Sequence, residues 1–170
     1  MLGFKIEAGS KVTIKHVTLM GGFTGDRTVG DDPSVGGIDN YGYLDMEGVD
    51  MLRTGTALLN RPNARALLEK CNIVRNANWY GGGILNFSER VGDTDEYING
   101  GTLVMDSCSL TENESLGPAH GGGAAENQGL MLLNNCVVAN NASTEIGGGI
   151  NNCKGGDLFV MNSTFTGNIT

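Results

Sequence analysis

The sequence predicts an all-β fold assembled from stacked repeats, and three observations carry that expectation. One phrase recurs along the 170 residues: a glycine triplet, a short strand, a turn, then an alternating strand that closes on asparagine. It runs from Gly147-Gly148-Gly149-Ile150 to Phe165-Thr166-Gly167-Asn168, from Gly121-Gly122-Gly123-Ala124 to Val138-Ala139-Asn140-Asn141, and from Gly81-Gly82-Gly83-Ile84 to Leu110-Thr111-Glu112-Asn113. Self-similarity over tens of residues marks units that bury their apolar faces only by stacking on one another. The second observation is period-2 alternation, seen in Val12, Ile14, Val17 and Leu19 against polar neighbours, which gives a strand one buried face. The third is composition. With 28 glycines and only 6% aromatic residues, the chain suits a narrow core with many tight corners better than a sandwich or barrel.

Aligning the phrases exposes columns. Leu19, Met51, Ile73, Leu110, Val138 and Phe165 form an apolar column three residues before a closing position held by Gly22, Thr54, Asn76, Asn113, Asn141 and Asn168. Two residues before the apolar column stand the small residues Val17, Val49, Cys71, Cys108, Cys136 and Ser163. Another column opens each repeat with Ile38, Leu58, Ile84, Ala124 and Ile150, followed two positions later by Asn40, Asn60, Asn86 and Asn152. In the repeat opening at Ala124 the asparagine slips to Asn127. Spacing in the apolar column ranges from 22 residues (Met51 to Ile73) to 37 (Ile73 to Leu110), so the longer repeats carry inserted loops, which stacked units accept at their turns.

Taken in order, Phe4 to Ile14 alternates like a strand pair and Lys11 to Leu19 continues it. Gly21 to Val35 is a long turn, and the next repeat opens at Gly36-Gly37-Ile38 and closes near Thr54. A compact repeat follows from Leu58-Leu59-Asn60 to Asn76. Within it Ala64 to Lys70 has helical composition, yet its place in the columns argues for strand. Ala77-Asn78-Trp79-Tyr80 is a short turn, Ser88 to Gly101 is the second long insertion, and two further repeats run to the end. The asparagines are assigned a structural role: their side chains tolerate left-handed corners and their amides can bond from one repeat to the next. Asn76, Asn113, Asn141 and Asn168 are the expected ladder. Cys71, Cys108 and Cys136 are expected to stack inside as small hydrophobes with free thiols. The glycines are assigned to corners where φ is unrestricted and no Cβ blocks close approach. A phosphate-loop reading fails, since no GxxxxGK[ST] is present.

The net charge of −8 disfavours a nucleic-acid or anionic-membrane partner, and no apolar run approaches the roughly 20 residues that span a bilayer. Residues 1–170 read as one domain. The chain stops where a new repeat would start, so it reads as a segment of a longer protein, and the last layer is expected to self-associate end to end.

These motifs resemble the pectin-lyase-like superfamily of single-stranded right-handed parallel β-helix (solenoid) proteins, and more narrowly the polymorphic outer-membrane-protein and autotransporter-passenger repeats. Phe165-Thr166-Gly167-Asn168 matches the FxxN half of that repeat, while Ile73 to Asn76, Leu110 to Asn113 and Val138 to Asn141 match it with aliphatic residues in place of Phe. Gly82-Gly83-Ile84, Gly122-Gly123-Ala124 and Gly148-Gly149-Ile150 are the counterparts of its glycine half. The resemblance implies about five or six coils with two long loop insertions, on an extracellular or cell-surface adhesin-like module.

Two functional readings follow. In the first, the chain is a non-catalytic scaffold or a rod that binds a polysaccharide or host-surface glycan. Trp79 and Tyr80, the Gly21–Val35 loop with Asp31 and Asp32, and Glu114 to His120 all fall at the same corner of successive repeats. Aromatic rings beside carboxylates can hold sugars by stacking and hydrogen bonding. In the second, the chain processes acidic polysaccharides, with calcium held by Asp93, Asp95 and Glu96 beside Arg90. Against it, the outward positions Thr18, Asn72, Ser109, Val137 and Thr164 carry no carboxylate, Asp50 being the exception, so the pair that a glycosidase needs is missing there. No catalytic residue is assigned and no cofactor is required; calcium is the candidate, first in the second long loop and second at Asp31 and Asp32 beside Arg27.

Overall fold

The computed structural model describes residues 3–21, 35–94, 96–117 and 121–170. Among them every regular element is a strand, and no helix is long and apolar enough to cross a membrane. Three six-stranded parallel sheets make up the body. The first contains Phe4–Ile6, Val35–Asn40, Thr56–Asn60, Ile84–Asn86, Ala125–Asn127 and Ile150–Asn152; the second Lys11–Lys15, Tyr43–Glu47, Arg65–Glu69, Thr102–Asp106, Leu130–Asn134 and Asp157–Met161. The third contains Thr18–Met20, Asp50–Leu52, Asn72–Val74, Ser109–Thr111, Val137–Ala139 and Thr164–Thr166. Each sheet adds its strands in chain order, so every repeat gives one strand to each sheet. Ala77–Asn78, Glu114–Ser115 and Ala142–Ser143 form a smaller parallel sheet, and the insertion after Asn86 carries an antiparallel hairpin of Glu89–Arg90 with Tyr97–Ile98. Arg65–Glu69, although built of good helix formers, is held as a strand between Tyr43–Glu47 and Thr102–Asp106.

Leu19, Met51, Ile73, Leu110, Val138 and Phe165 are successive register partners, so the apolar column is one row of the third sheet. Its four middle members are wholly buried, Leu19 is half-buried, and Phe165 in the last strand is 43% exposed. The core they share with Leu44, Met46, Leu103, Met105, Met131 and Leu133 lies between the sheets. In the second sheet Phe159 pairs with Leu132 on the outward row, whereas Val160 continues the inward row of Leu133 and Met105. Phe159 therefore lies in the terminal strand of its sheet but on the outward row, where it is 54% exposed.

Three expectations are corrected. The register partner of Ile84 and Ile150 is Ala125, not Ala124, and Asn127 pairs directly with Asn86 and Asn152 without any slip. The glycine triplet of that repeat simply begins one position earlier. Second, the ladder asparagines are not the left-handed residues. Positive φ falls one position before them, at Arg53, Arg75, Glu112, Asn140 and Gly167, and again at the preceding corner at His16, Gly48, Lys70, Ser107, Asn135 and Asn162. Asparagine is selected here for its amide. Asn113 Nδ2 donates to Ile73 O (2.9 Å) and to Asn141 Oδ1 (3.0 Å), and its own Oδ1 accepts from the Asn76 backbone N–H (3.0 Å) and Asn76 Nδ2 (2.9 Å). The same pattern carries on to Asn168. Third, the two reasons for glycine divide among the triplets: Gly122 and Gly147 have positive φ, whereas the glycines at 81–83 serve close approach alone, since a Cβ on Gly82 would lie 2.4 Å from Gly123 O and 2.6 Å from the backbone of Glu114.

A second ladder joins Asn40, Asn60, Asn86, Asn127 and Asn152, each Nδ2 donating to the next Oδ1 at 2.7–2.8 Å. Cys71, Cys108 and Cys136 are buried with free thiols, and the Cys108 Sγ–H donates to Leu68 O (3.4 Å) and Asp106 O (3.3 Å). The Cys108 thiol is pushed well up, first by its bonding with Cys136 and Cys71 and then by burial.

Candidate functional site

At the corner after the third sheet, Ala77 and Asn78 pair with Glu114 and Ser115, and those with Ala142 and Ser143, so Trp79, Tyr80 and Glu114 are brought to one edge. Glu114 is exposed there, but Trp79 and Tyr80 are half-buried. The turn is fixed from within. The Trp79 backbone N–H donates to Asn78 Oδ1 (2.6 Å), Asn78 Nδ2 donates to Thr56 Oγ1 (2.5 Å), and Ser115 Oγ donates to Tyr80 O. Asp31, Asp32 and His120 lie outside the described residues.

The second long loop carries the other candidates. Asp93 and Glu96 are exposed at the hairpin tip, and Asp95 lies outside the described residues. The tip is organised by Thr94, whose hydroxyl donates to Val91 O (2.5 Å), and by Arg90 Nε donating to Thr94 O (2.8 Å). Among the described residues no three His, Cys, Asp or Glu side chains come together as a metal site.

Register also assembles a group that motif reading passed over, at the corner between the first and second sheets. The residue following each asparagine of the second ladder occupies one column, in which Tyr41, Arg61 and Phe87 are consecutive. Arg61 lies against both rings, its guanidinium 5.2 Å from the Tyr41 centroid and 6.0 Å from that of Phe87. It also forms a two-point ion pair with Asp39, Nε to Oδ1 at 2.7 Å and Nη2 to Oδ2 at 3.2 Å, with both side chains only 17% exposed. Lys5 stands 5.2 Å from the other approach to Tyr41 and pairs with Glu7 at 3.0 Å, which raises its pKa above the ordinary lysine value. One step away, Lys11, Tyr43 and Arg65 are direct register partners on the outward side of the second sheet. Lys11 Nζ is 4.9 Å and the Arg65 guanidinium 5.9 Å from the Tyr43 centroid.

No protein-family model, curated protein or solved structure matches the chain.

Two further features escaped the sequence. Glu126 is only 3% exposed at an outward position of the first sheet, where Gln128 Nε2 donates to its Oε1 (2.9 Å) and its Oε2 has no hydrogen-bond partner among the described residues. Cys153 lies close enough for its thiol to be pushed up to about 12, by burial first and then by the Glu126 charge. Such a thiol is a poor nucleophile at neutral pH. The column alignment could have found the tyrosine group, because Tyr41, Arg61 and Phe87 each follow a ladder asparagine; nothing in the sequence marks Glu126 as buried.

Proposed function

We propose that the chain is a non-catalytic module of a right-handed parallel β-helix, of about six coils, that acts at the cell surface or outside the cell as a glycan-binding rod. The supporting observation is the row of rings and cations at the corner between the first and second sheets. Tyr41, Tyr43 and Phe87 stand in it with Lys5, Lys11, Arg61 and Arg65, some on strands and some on the turn residues that follow each ladder asparagine. Aromatic faces stack on the apolar faces of sugars, while guanidinium and ammonium donors satisfy hydroxyl and acidic oxygens. An edge that repeats with the strand spacing of about 4.8 Å suits a linear polymer lying along it. The chain-ordered parallel sheets and the two asparagine ladders supply the stiffness of such a rod.

Outward residues of the third sheet point the same way. Thr18, Asp50, Asn72, Ser109, Val137 and Thr164 are register partners, and Asp50 is the one carboxylate in that row. Asn72 Nδ2 donates to Asp50 Oδ1 (2.7 Å), which engages it structurally. The test is to titrate neutral and acidic polysaccharides by calorimetry while assaying for new reducing ends and unsaturated products, with and without calcium. Binding without turnover is expected. Turnover abolished by Asp93→Ala or Asp95→Ala would replace this reading with a polysaccharide-processing one.

A further inference from the structure

We propose that Lys11, Tyr43 and Arg65 form the subsite that selects acidic glycans, reading carboxylate or sulfate groups carried along a linear polysaccharide. This rests on the glycan-binding reading and names its ligand class. The argument comes from a contrast between two neighbouring tyrosines that the fold places in the same surroundings. Tyr41 is flanked by Lys5 and Arg61, and both cations are already neutralised, by Glu7 at 3.0 Å and by Asp39 at 2.7 Å. Tyr43 is flanked by Lys11 and Arg65, both exposed, and among the described residues neither forms an ion pair. The nearest carboxylate along the Tyr43 strand, Asp45, sits in the adjacent outward row, opposite Thr13 and Leu67 and not opposite either cation.

Two exposed cations without counter-ions are held on a chain whose net charge is −8. The register fixes their geometry. Lys11 and Arg65 are separated by two inter-strand steps, about 10 Å, with the Tyr43 ring between them. A sugar resting on the outer edge of Tyr43, between the two cations that flank the ring, would present acidic groups of the sugars on either side to them. Arg65 can take a carboxylate or sulfate through two parallel N–H donors, whereas Lys11 acts as a point charge. The Tyr41 group, with its charges satisfied, offers a continuing stacking surface and not a second anion site. An extended nucleic acid is disfavoured because the chain's net charge of −8 repels its backbone.

The experiment is calorimetric titration of the chain with polygalacturonate and, separately, with neutral galactan. Variants are Lys11→Gln, Arg65→Gln and Tyr43→Leu, with Lys15→Gln as a control on the same strand, where the lysine is engaged with Glu47 at 2.7 Å. Lys11→Gln and Arg65→Gln are each expected to weaken polygalacturonate binding about tenfold or more and to flatten its salt dependence. They should leave galactan binding and the unfolding midpoint unchanged. Tyr43→Leu is expected to weaken both ligands, and Lys15→Gln neither. Equal affinity for the two polymers, or polygalacturonate binding indifferent to Lys11 and Arg65, overturns the inference while leaving the glycan-binding reading standing. Failure of both polymers to bind removes both. Binding of duplex DNA tighter than polygalacturonate, lost in the same two variants, also overturns it.

Discussion

Replacing Asn113 with alanine removes an amide that serves three repeats at once. In the native chain its Oδ1 accepts from the Asn76 backbone N–H (3.0 Å) and from Asn76 Nδ2 (2.9 Å), and its Nδ2 donates to Ile73 O (2.9 Å) and Asn141 Oδ1 (3.0 Å). Asn76 Nδ2 keeps Met51 O (3.1 Å), and Asn141 Oδ1 keeps the Asn113 backbone N–H (2.9 Å). The uncompensated losses are therefore the Asn76 N–H and the amide donor to Ile73 O, in a site where Asn113 is 1% exposed. At about 1–3 kcal/mol for each buried group left without its partner, the variant should lose about 2–6 kcal/mol. Asn72→Ala, at an exposed position bonded to Asp50 and Ser109, should lose no more than about 1 kcal/mol. Asn113→Asp sharpens the test, because a carboxylate oxygen would face the Ile73 and Asn141 oxygens. Burial and those acceptors favour its protonated form, so its folded pKa is raised above about 3.9. The folded variant then holds a proton that the unfolded chain releases, and its deficit against wild type should grow as pH rises from about 4. Urea unfolding across pH measures all three variants. A loss below 1 kcal/mol for Asn113→Ala, or a pH-independent deficit for Asn113→Asp, would refute the ladder as a source of stability.

Leu110→Ala, in the wholly buried row with Ile73 and Val138, should cost about 2–5 kcal/mol in urea unfolding, and an unchanged midpoint would contradict the register. Gly82→Ala should cost more than Gly92→Ala on thermal unfolding, although only Gly92 has positive φ, because a Cβ at Gly82 meets backbone at 2.4 Å whereas one at Gly92 meets nothing within 4 Å. Equal losses would mean that φ, not close approach, decides at the triplets. Alkylation of Cys153 should climb about tenfold per pH unit from pH 8 to pH 11 without levelling, since its pKa lies at about 12, and Glu126→Gln should bring the plateau to lower pH. A plateau near pH 9 in the native chain would show that neither burial nor Glu126 acts on that thiol.

Much of the fold was legible because stacking forces chemically equivalent residues into the same row. The apolar row from Leu19 to Phe165 and the amide ladder from Asn76 to Asn168 need the same residue type at each level, and identity at intervals is visible in a bare sequence. Positions judged by one residue's conformational habit were less legible. The left-handed corners are filled by His16, Lys70, Arg75, Ser107 and Glu112 as readily as by asparagine, so backbone geometry set by stacking outweighs local preference there. Ala124 was misplaced because two adjacent alanines fit the column equally well until strand pairing chooses Ala125. The candidate site was the least legible part. Trp79, Asp93 and Glu96 stand out by residue type, whereas Lys11, Tyr43 and Arg65 become a group only when three strands lie side by side.

The most direct measurement is an amide chemical-shift titration of the 170-residue chain with a galacturonate oligosaccharide, following the sugar resonances in the same tube. The account predicts shifts centred on Lys11, Tyr43 and Arg65, tailing toward Tyr41 and Phe87, with the sugar signals intact after prolonged incubation. Shifts centred on Asp93 and Glu96 of the hairpin, with new anomeric or unsaturated sugar signals growing in, would contradict it.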